Sequence, residues 1–183
     1  MRNITKRITS VIIKAFYSFE KQAKMAGVNL GENNFIDSRF WSSEPYLITI
    51  GDYCQITGGV KMFTHGGGQA LRDKHPDFDV FGKIKIGNYV YLGTNTLVMP
   101  GVTIEDNVLV ASGSVVTKSL RSGGVYGGNP AKYICSLEEY FKRNTKYDLH
   151  SKKLSKEDKK RLLLSLPEDH FVQKNFINIV NDL

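Results

Sequence analysis

The chain has 183 residues, which is long enough for one domain with a buried core. Apolar residues make up 41% and charged residues 23%, as in ordinary soluble globular proteins. The formal net charge is +7, and the excess lies at the two ends. Residues 1–26 hold six Lys/Arg and one Glu, residues 136–183 hold ten Lys/Arg and eight Asp/Glu, and residues 27–135 hold nine of each. Because the basic residues are not interleaved with aromatic residues in a recognised module, we expect no nucleic-acid partner.

The N-terminal segment, residues 1–27, is predicted to be an amphipathic helix. Its apolar side chains recur at helical spacing over residues 3–26, and Gly27 is a typical helix stop. Such a helix can cap the open end of the domain that follows. Its basic character fits a solvated surface, and peripheral contact with an anionic membrane is a second interpretation that the sequence leaves open.

The composition is that expected of a cytoplasmic protein. The apolar patch at residues 11–13 is ended by Lys14 and is too short for the core of a secretory signal. No stretch approaches the ~18 consecutive apolar residues of a transmembrane helix. The two cysteines, Cys54 and Cys135, are too few for a disulfide framework and form no CxxC pair.

A six-residue repeat dominates the central region. Aliphatic residues recur at every sixth position at Ile86, Leu92, Val98, Ile104, Val110 and Val116. Helices repeat every three to four residues and ordinary strands alternate in twos, so neither explains a sustained period of six. A shorter run with the same spacing precedes it at Ile50, Ile56 and Met62, and a degenerate run begins at Leu30 and Ile36.

These repeats predict an all-β solenoid over residues 28–134. Each unit makes a short strand and a turn, and three units close one triangular coil whose aliphatic residues point inward and stack on the next coil. The repeat is interrupted at residues 66–85, which we expect to form an extruded loop, where sites tend to be built. Residues 135–183 predict a helical C-terminal extension, with helices near 136–144 and 155–165 and a capping box at Ser155–Asp158.

Residues 84–134 resemble the hexapeptide-repeat acetyltransferases. The resemblance lies in the segments IKIGNYVYLGTNTLVMPGVTI, ASGSVVTKS and GGNPAKYI, together with THGG before the loop, all in the order that this family shows. Its most similar branch acetylates sugars of capsule, O-antigen and related polysaccharides. The resemblance implies a left-handed parallel β-helix, acetyl-CoA as co-substrate, and a sugar, nucleotide sugar or polysaccharide as acceptor. It also implies a homotrimer whose active sites lie between neighbouring subunits.

His65 is the candidate catalytic residue. It ends the second repeat run, where the loop leaves the solenoid, and histidine side chains are suited to removing the proton of an attacking hydroxyl. In similar enzymes the histidine at this position is the general base, and transfer is direct because the thioester is already activated.

One departure from the family concerns the residue after this histidine. Many relatives read His-Asp-Gly, whereas three glycines, residues 66–68, follow His65 here. If that Asp orients the imidazole in relatives, another group must do so in this chain. Asp52 and Asp73 are candidates that the sequence does not rank. Three successive glycines also suggest close substrate approach or a mobile entry to the loop.

The loop supplies the predicted acceptor-binding residues, Arg72, Asp73 and His75. The dipeptide His75-Pro76 with a preceding acid also resembles the serine acetyltransferases, so a serine or other small-molecule acetyltransferase of this fold is an alternative. Those enzymes carry a long N-terminal helical region, whereas only about 27 residues precede the repeats here. A catalytically inactive binding solenoid is a second alternative, which the glycine at position 66 keeps open.

The coenzyme A site is predicted to be a groove along the coils. By resemblance, its contact residues are Tyr91, Gly93, Thr94, Ala111, Ser112, Thr117, Lys118 and Lys132. In this interpretation the small residues keep the groove open, Tyr91 lies beside the thioester arm, and the two lysines face the phosphates. We expect no metal, because the zinc carbonic anhydrases built on this fold need three histidines, and only His65 and His75 lie in the repeat region.

Overall fold

The structure, a computed structural model, describes residues 16–176. Helix α1 (Phe19–Ala26) precedes the strands β1 (Asn29–Leu30), β2 (Phe35–Ile36), β3 (Ile48–Ile50), β4 (Gln55–Ile56), β5 (Lys61–Met62), β6 (Ile84–Ile86), β7 (Tyr91–Leu92), β8 (Leu97–Val98), β9 (Thr103–Ile104), β10 (Leu109–Val110), β11 (Val115–Val116), β12 (Gly124–Gly127) and β13 (Lys132–Ser136). Helices α2 (Leu137–Asn144) and α3 (Lys156–Ser165) follow. Short 3-10 turns lie at Pro45–Leu47, Gly68–Leu71, Thr145–Tyr147, Ser151–Lys153 and Glu168–His170.

The strands form three sheets that the chain visits in turn. The first sheet has the order β1-β3-β6-β9, the second β13-β12-β10-β7-β4-β2 and the third β11-β8-β5. All neighbouring strands in them are parallel except β12 and β13. Each parallel strand therefore pairs with its equivalent in the adjacent coil, as the repeats predicted.

The register of the sheets follows the six-residue repeat. Residues 18 positions apart face each other, so Ile86 pairs with Ile104, and the same shift joins β7 to β10 and β8 to β11. The six predicted inward positions are all 3% exposed or less: Ile86, Leu92, Val98, Ile104, Val110 and Val116. Burying an aliphatic side chain of this size contributes about 1.5–3 kcal/mol to folding, so these six stacked side chains stabilise the solenoid substantially.

Between the first coils the shift is larger. Ile50 pairs with Ile86, a shift of 36 residues across a single coil, because the extruded loop adds to the length of that coil. Ile36 pairs with Ile56, a shift of 20, because two additional residues lie in the first coil. The degenerate run that the sequence indicated at Leu30 and Ile36 is therefore part of the same stacked core.

Helix α1 packs against β1 and β2 at the first coil. It ends as predicted: Gly27 has a left-handed φ of 107°, and its N–H donates to the carbonyls of Ala23 and Lys24. The predicted helix over residues 3–26 does not run unbroken, because Ser18 is extended with a ψ of 155° and its hydroxyl accepts the N–H of Lys21, which starts a new helix. Residues 1–15, on which the membrane interpretation rests, lie outside the described residues. No helix within residues 16–176 is long and apolar enough to cross a membrane.

Two boundaries differ from the sequence-based expectation. Strand β6 begins at Ile84, so the extruded segment ends before residue 84 rather than at 85. Strand β13 runs to Ser136 and pairs antiparallel with β12, so the β-structured unit extends beyond residue 134. The chain divides into compact units of residues 1–137 and 138–183. In the second unit Ser155 is the N-cap of α3, as the sequence indicated: its hydroxyl accepts the N–H of Asp158 at 3.0 Å and donates to the Asp158 carboxylate at 2.7 Å.

Candidate active site

The triangular coils have three corners, and the predicted site residues lie at two of them. The first corner, between the first and second sheets, contains Asp52, Asn88 and Asp106. The second corner, between the second and third sheets, contains Thr94 and Ser112 and is joined by the hydrogen bond from the Gly113 N–H to the Thr94 carbonyl. The third corner follows the strands of the third sheet and contains His65, Gly101 and Lys118.

His65 lies at the third corner, where the extruded loop begins. It follows β5 by three residues, and its side chain is 37% exposed, so the ring is open to a substrate. The returning end of the loop is bound to the same place. Phe81 forms an antiparallel bridge with His65, and the N–H of Gly82 donates to the carbonyl of Thr64 at 2.7 Å. Both ends of the loop are therefore held beside the imidazole.

The imidazole of His65 is held by a carboxylate from the preceding coil. The Nδ1 atom of His65 lies 2.7 Å from Oε2 of Glu44, whose side chain is 17% exposed. The same carboxylate oxygen lies 2.6 Å from the hydroxyl of Thr64, and that hydroxyl lies 2.8 Å from the hydroxyl of Ser42. The Ser42 hydroxyl also accepts the backbone N–H of Thr64 at 3.2 Å.

The direction of each bond in this network follows from donor and acceptor counts. An ionised carboxylate only accepts, so both Thr64 and His65 must donate to Glu44. The Thr64 hydroxyl has one hydrogen, and it therefore accepts from Ser42. His65 then carries its proton on Nδ1, which leaves the lone pair of Nε2 free to take a proton from a substrate. This tautomer is inferred from the bonding pattern rather than from hydrogen positions.

The network also favours the ionised form of Glu44. The hydrogen bond from Thr64 lowers the pKa of the Glu44 carboxyl most, partial burial opposes it, and the bond to His65 lowers the pKa further. A carboxylate whose pKa is depressed by folding stabilises the folded state above its unfolded pKa, and that contribution is lost as the pH falls through the folded pKa. The Glu44–His65 pair is therefore expected to persist into mildly acidic solution.

The Thr64→Val substitution is expected to raise the pKa of Glu44 towards its ordinary value, because it removes the bond that lowers this pKa most. The acid-side loss of the Glu44–His65 pair should then begin at a higher pH than in the wild type. The measurement is an NMR titration of the Glu44 side-chain carbon. Thr57→Val is the matched control, since the Thr57 hydroxyl donates to the carbonyl of Leu92 in another part of the fold. An unchanged Glu44 titration in Thr64→Val would contradict the assignment.

Neither of the two carboxylates that the sequence offered for orienting His65 performs that role. Asp52 lies at the first corner, where its carboxylate accepts the backbone N–H of Glu32 at 2.7 Å and so joins two coils. Asp73 is exposed in the loop, as are Arg72 and His75. Among the described residues, the hydrogen-bond partner of the His65 ring is Glu44. The predicted acceptor residues share a loop with His65 but make no described contact with its ring.

The predicted coenzyme A residues fall into two groups. The first group lies at the second corner, where Thr94 and Ser112 are exposed and follow Gly93 and Ala111. Lys132 follows the same corner one coil later and pairs with Gly127. Tyr91 is half-buried on the second sheet, two residues before Gly93. Thr117 and Lys118 lie instead at the third corner, two strands of the third sheet away from His65, or about 10 Å along the stack.

The small side chains at the second corner are partly explained by coil stacking. A Cβ added to Gly93 would lie 2.4 Å from the backbone nitrogen of Ser112, so glycine is needed there for the coils to approach. A Cβ on Gly127 would lie 3.0 Å from that of Ala111. The packing therefore accounts for glycine at position 93, and the exposed hydroxyls of Thr94 and Ser112 are the groups that remain available to a ligand.

Comparisons with known proteins identify the family to which these stacked six-residue coils belong. The model of the bacterial transferase hexapeptide family (six repeats) matches residues 83–118. Protein CapG of Staphylococcus aureus is 43% identical over 164 residues, which cover 87% of this chain and 95% of CapG. The chain therefore belongs to the hexapeptide-repeat acetyltransferase family, and it is an acyltransferase.

Solved structures give the same result. A galactoside acetyltransferase in complex with coenzyme A aligns with a TM-score of 0.53 at 27% identity, covering 62% of this chain and 67% of that one. A hexapeptide-repeat acetyltransferase from Vibrio cholerae in complex with acetyl coenzyme A aligns with a TM-score of 0.54 at 26% identity, covering 61% of each chain. No group of three or more His, Cys, Asp or Glu side chains within residues 16–176 is placed to hold a metal ion.

Sequence reasoning missed Glu44 and Phe81 as neighbours of His65. Glu44 lies between two repeat runs, where no aliphatic period marks a register. The spacing of the first two coils was the available signal, because a shift of 20 residues at Ile36 and 21 at Phe40 places Glu44 close to Thr64 and His65. No comparable signal existed for Phe81, since the path of the loop depends on its own turns.

Proposed function

We propose that this protein transfers an acetyl group from acetyl-CoA to a hydroxyl of a sugar in a surface polysaccharide or its precursor. The observation that carries the proposal is the Glu44–His65 pair, with Nδ1 of His65 at 2.7 Å from the Glu44 carboxylate. A histidine held in this way beside an open loop has the arrangement required of a general base. Membership of the hexapeptide-repeat family and the named sugar acetyltransferases among the similar structures support the substrate class.

The proposed reaction is a direct transfer. Nε2 of His65 takes the proton of the sugar hydroxyl as the oxygen forms a bond to the acetyl carbon. The bond between that carbon and the thioester sulfur then breaks, and the imidazolium returns its proton to the thiolate of coenzyme A. Glu44 stabilises the imidazolium between these steps. Backbone N–H groups are proposed to bind the negative charge that develops on the acetyl oxygen.

The co-substrate is proposed to lie along the second corner. Two of the similar structures are complexes with coenzyme A or acetyl coenzyme A. The exposed hydroxyls of Thr94 and Ser112 can bind the amides of the pantetheine arm, with Tyr91 beside it and Lys132 available to the phosphates. Thr117 and Lys118 lie at the other edge of the third sheet. They would therefore not contact a co-substrate bound in the second-corner groove of their own chain, but one bound to a neighbouring chain.

A left-handed coil and a homotrimer complete the proposal. The second and third corners lie at opposite edges of the third sheet. Within a single chain, the proposed co-substrate groove is therefore not adjacent to His65. A neighbouring copy can bring its groove against the His65 corner. The outward side chains of the third sheet offer an apolar surface for such contact at Leu97 and Val115, next to the charged Lys61.

Two alternatives lose support. An inactive binding solenoid was favoured only by the glycine at position 66, and Glu44 provides the carboxylate that an Asp there would have supplied. The serine acetyltransferase alternative rested on His75, which is exposed and makes no described contact with His65. Residence in the cytoplasm stays a prediction, as does membrane contact through residues 1–15.

The proposed function predicts thiol release from acetyl-CoA that depends on an added sugar. The purified wild-type chain would be assayed with acetyl-CoA and a panel of methyl pyranosides and nucleotide sugars, with thiol detected by a colorimetric reagent and the acetylated sugar by mass spectrometry. Coenzyme A binding would be measured separately by calorimetry. Failure to bind coenzyme A would refute the enzyme assignment. Binding with transfer to L-serine but to no sugar would favour the alternative acceptor class.

A further inference from the structure

The aromatic ring of Phe81 is exposed although it lies against the catalytic histidine. Its ring centroid is 5.7 Å from that of His65, with the two planes tilted by 52°. The side chain is 54% exposed. The backbone beneath it is fixed by the bridge to His65 and by the hydrogen bond from the Gly82 N–H to the Thr64 carbonyl. The Phe81 backbone is therefore fixed beside the imidazole of His65, and much of the Phe81 ring is uncovered.

Gly66, the residue directly after His65, is a glycine that the fold does not require. All 17 glycines of the chain fall within the described residues. Each of the other sixteen has either a left-handed φ or a neighbour within 4 Å of an added Cβ, whereas Gly66 has neither. Neither backbone geometry nor packing within the chain explains this residue. Open space at a position directly after His65 is what an incoming substrate needs.

The chemistry of these two features matches a pyranose ring. A pyranose has an apolar face of C–H groups and a rim of hydroxyls, and an exposed aromatic ring is a suitable surface for such a face. We propose that Phe81 and Gly66 form the acceptor subsite, in which a pyranose lies with its C–H face on the Phe81 ring, close to the Cα of Gly66, and directs one hydroxyl to Nε2 of His65. This inference rests on the proposed function and specifies its acceptor.

The subsite differs from the acceptor residues that the sequence suggested. Arg72, Asp73 and His75 are exposed in the loop without a described contact to the catalytic ring, whereas Phe81 packs on it. The guanidinium of Arg72 lies near Gly68, within 3.7 Å of the place that a Cβ on Gly68 would occupy. Arg72 is thus available to a substituent of the sugar, while ring recognition belongs to Phe81.

The test compares two kinds of acceptor in Phe81 variants at saturating acetyl-CoA. Methyl pyranosides present a ring face, and glycerol presents hydroxyls without one. Phe81→Ala is expected to raise KM for the best pyranoside about tenfold, a typical effect of truncating an aromatic contact, and to change transfer to glycerol and hydrolysis of acetyl-CoA by a much smaller factor. Phe81→Trp should restore the pyranoside KM, whereas Phe81→Leu, apolar but not aromatic, should not. Val80→Ala is the matched control, because Val80 is the neighbouring residue and is 50% exposed.

A substitution at Gly66 provides an independent test of the subsite. Gly66→Ala should leave the melting temperature unchanged, because the added methyl meets nothing in the fold, and should raise KM for the pyranoside. Gly123→Ala, at a left-handed φ of 71°, should show the reverse, with lower stability and unchanged transfer.

Several outcomes would overturn the subsite. They are an unchanged pyranoside KM in Phe81→Ala, an equal loss of hydrolysis and transfer in that variant, a change in its oligomeric state, or wild-type kinetics in Gly66→Ala. A wild-type protein that hydrolyses acetyl-CoA through His65 but acetylates no pyranoside would also overturn it. Absence of His65-dependent thiol release with any acceptor would instead contradict the proposed function itself.

Discussion

Removing either member of the Glu44–His65 pair is expected to abolish most of the acetyl transfer. His65→Ala should lower kcat by about 10²- to 10⁴-fold, the usual contribution of a general base. Glu44→Gln keeps the size of the side chain but no longer requires Nδ1 of His65 to be the donor, so it should lower kcat while the KM for acetyl-CoA stays near the wild-type value. The measurement is steady-state transfer, together with the ¹⁵N chemical shifts of the His65 ring, which should show a loss of the Nδ1–H tautomer in Glu44→Gln.

Two matched controls distinguish catalysis from general damage. His170→Ala removes another histidine whose Nδ1 contacts a carboxylate, that of Asp169 at 3.0 Å. Glu105→Gln removes another carboxylate whose pKa is lowered, in this case first by the N–H of Ser122 and then by Arg121. Both should retain wild-type transfer. Equal rates in His65→Ala and the wild type would remove His65 from its assigned role, and wild-type ring shifts in Glu44→Gln would remove Glu44 from its positioning role.

Mixed trimers are expected to regain activity that two inactive parents lack. His65→Ala removes the base, and Ser112→Trp fills the exposed second corner where the co-substrate is proposed to bind. If each site takes His65 from one subunit and the groove from the next, co-assembled subunits create sites in which both parts are intact. In a trimer that contains both kinds of subunit, one site in three is of this kind, so mixed trimers purified through both tags should recover about one third of the wild-type activity.

The same experiment reports on where the site lies. Co-expressed, differently tagged subunits would be purified through both tags, and their oligomeric state would be measured by light scattering. Ser122→Trp is the control, since Ser122 is an exposed serine at another corner. Mixed assemblies that stay inactive would place the whole site within one chain. Full activity in Ser112→Trp alone would show that the co-substrate does not use the second corner.

The six-residue period was sufficient to predict the stacked core. Each aliphatic position from Ile86 to Val116 is buried, and each pairs with the position 18 residues away, because three equal sides bring the chain back to the same sheet. The ends of the helices and strands were harder to predict from the sequence. Ser18 interrupts the N-terminal helix and β13 folds back on β12, and both events depend on local hydrogen bonds that the period does not encode.

The catalytic candidate and its partner differ in the same way. His65 could be identified because it stands where the repeat breaks, a feature visible along the chain. Its partner could not, because Glu44 lies 21 residues earlier in a stretch without a period, and Asp52 and Asp73 were equally plausible by residue type. The extra residues of the first coil set the register that brings Glu44 close to Thr64 and His65.

By itself, the sequence determined the repeating core and the residue at its interruption. Each side of a coil spans six residues and buries one aliphatic side chain, so the pattern is visible along the chain. Only the tertiary structure decided which carboxylate holds His65, which aromatic ring lies beside it and which glycine has no role in the fold. These relations join residues from different coils and from both ends of a loop, so they depend on how the coils stack and where the loop returns.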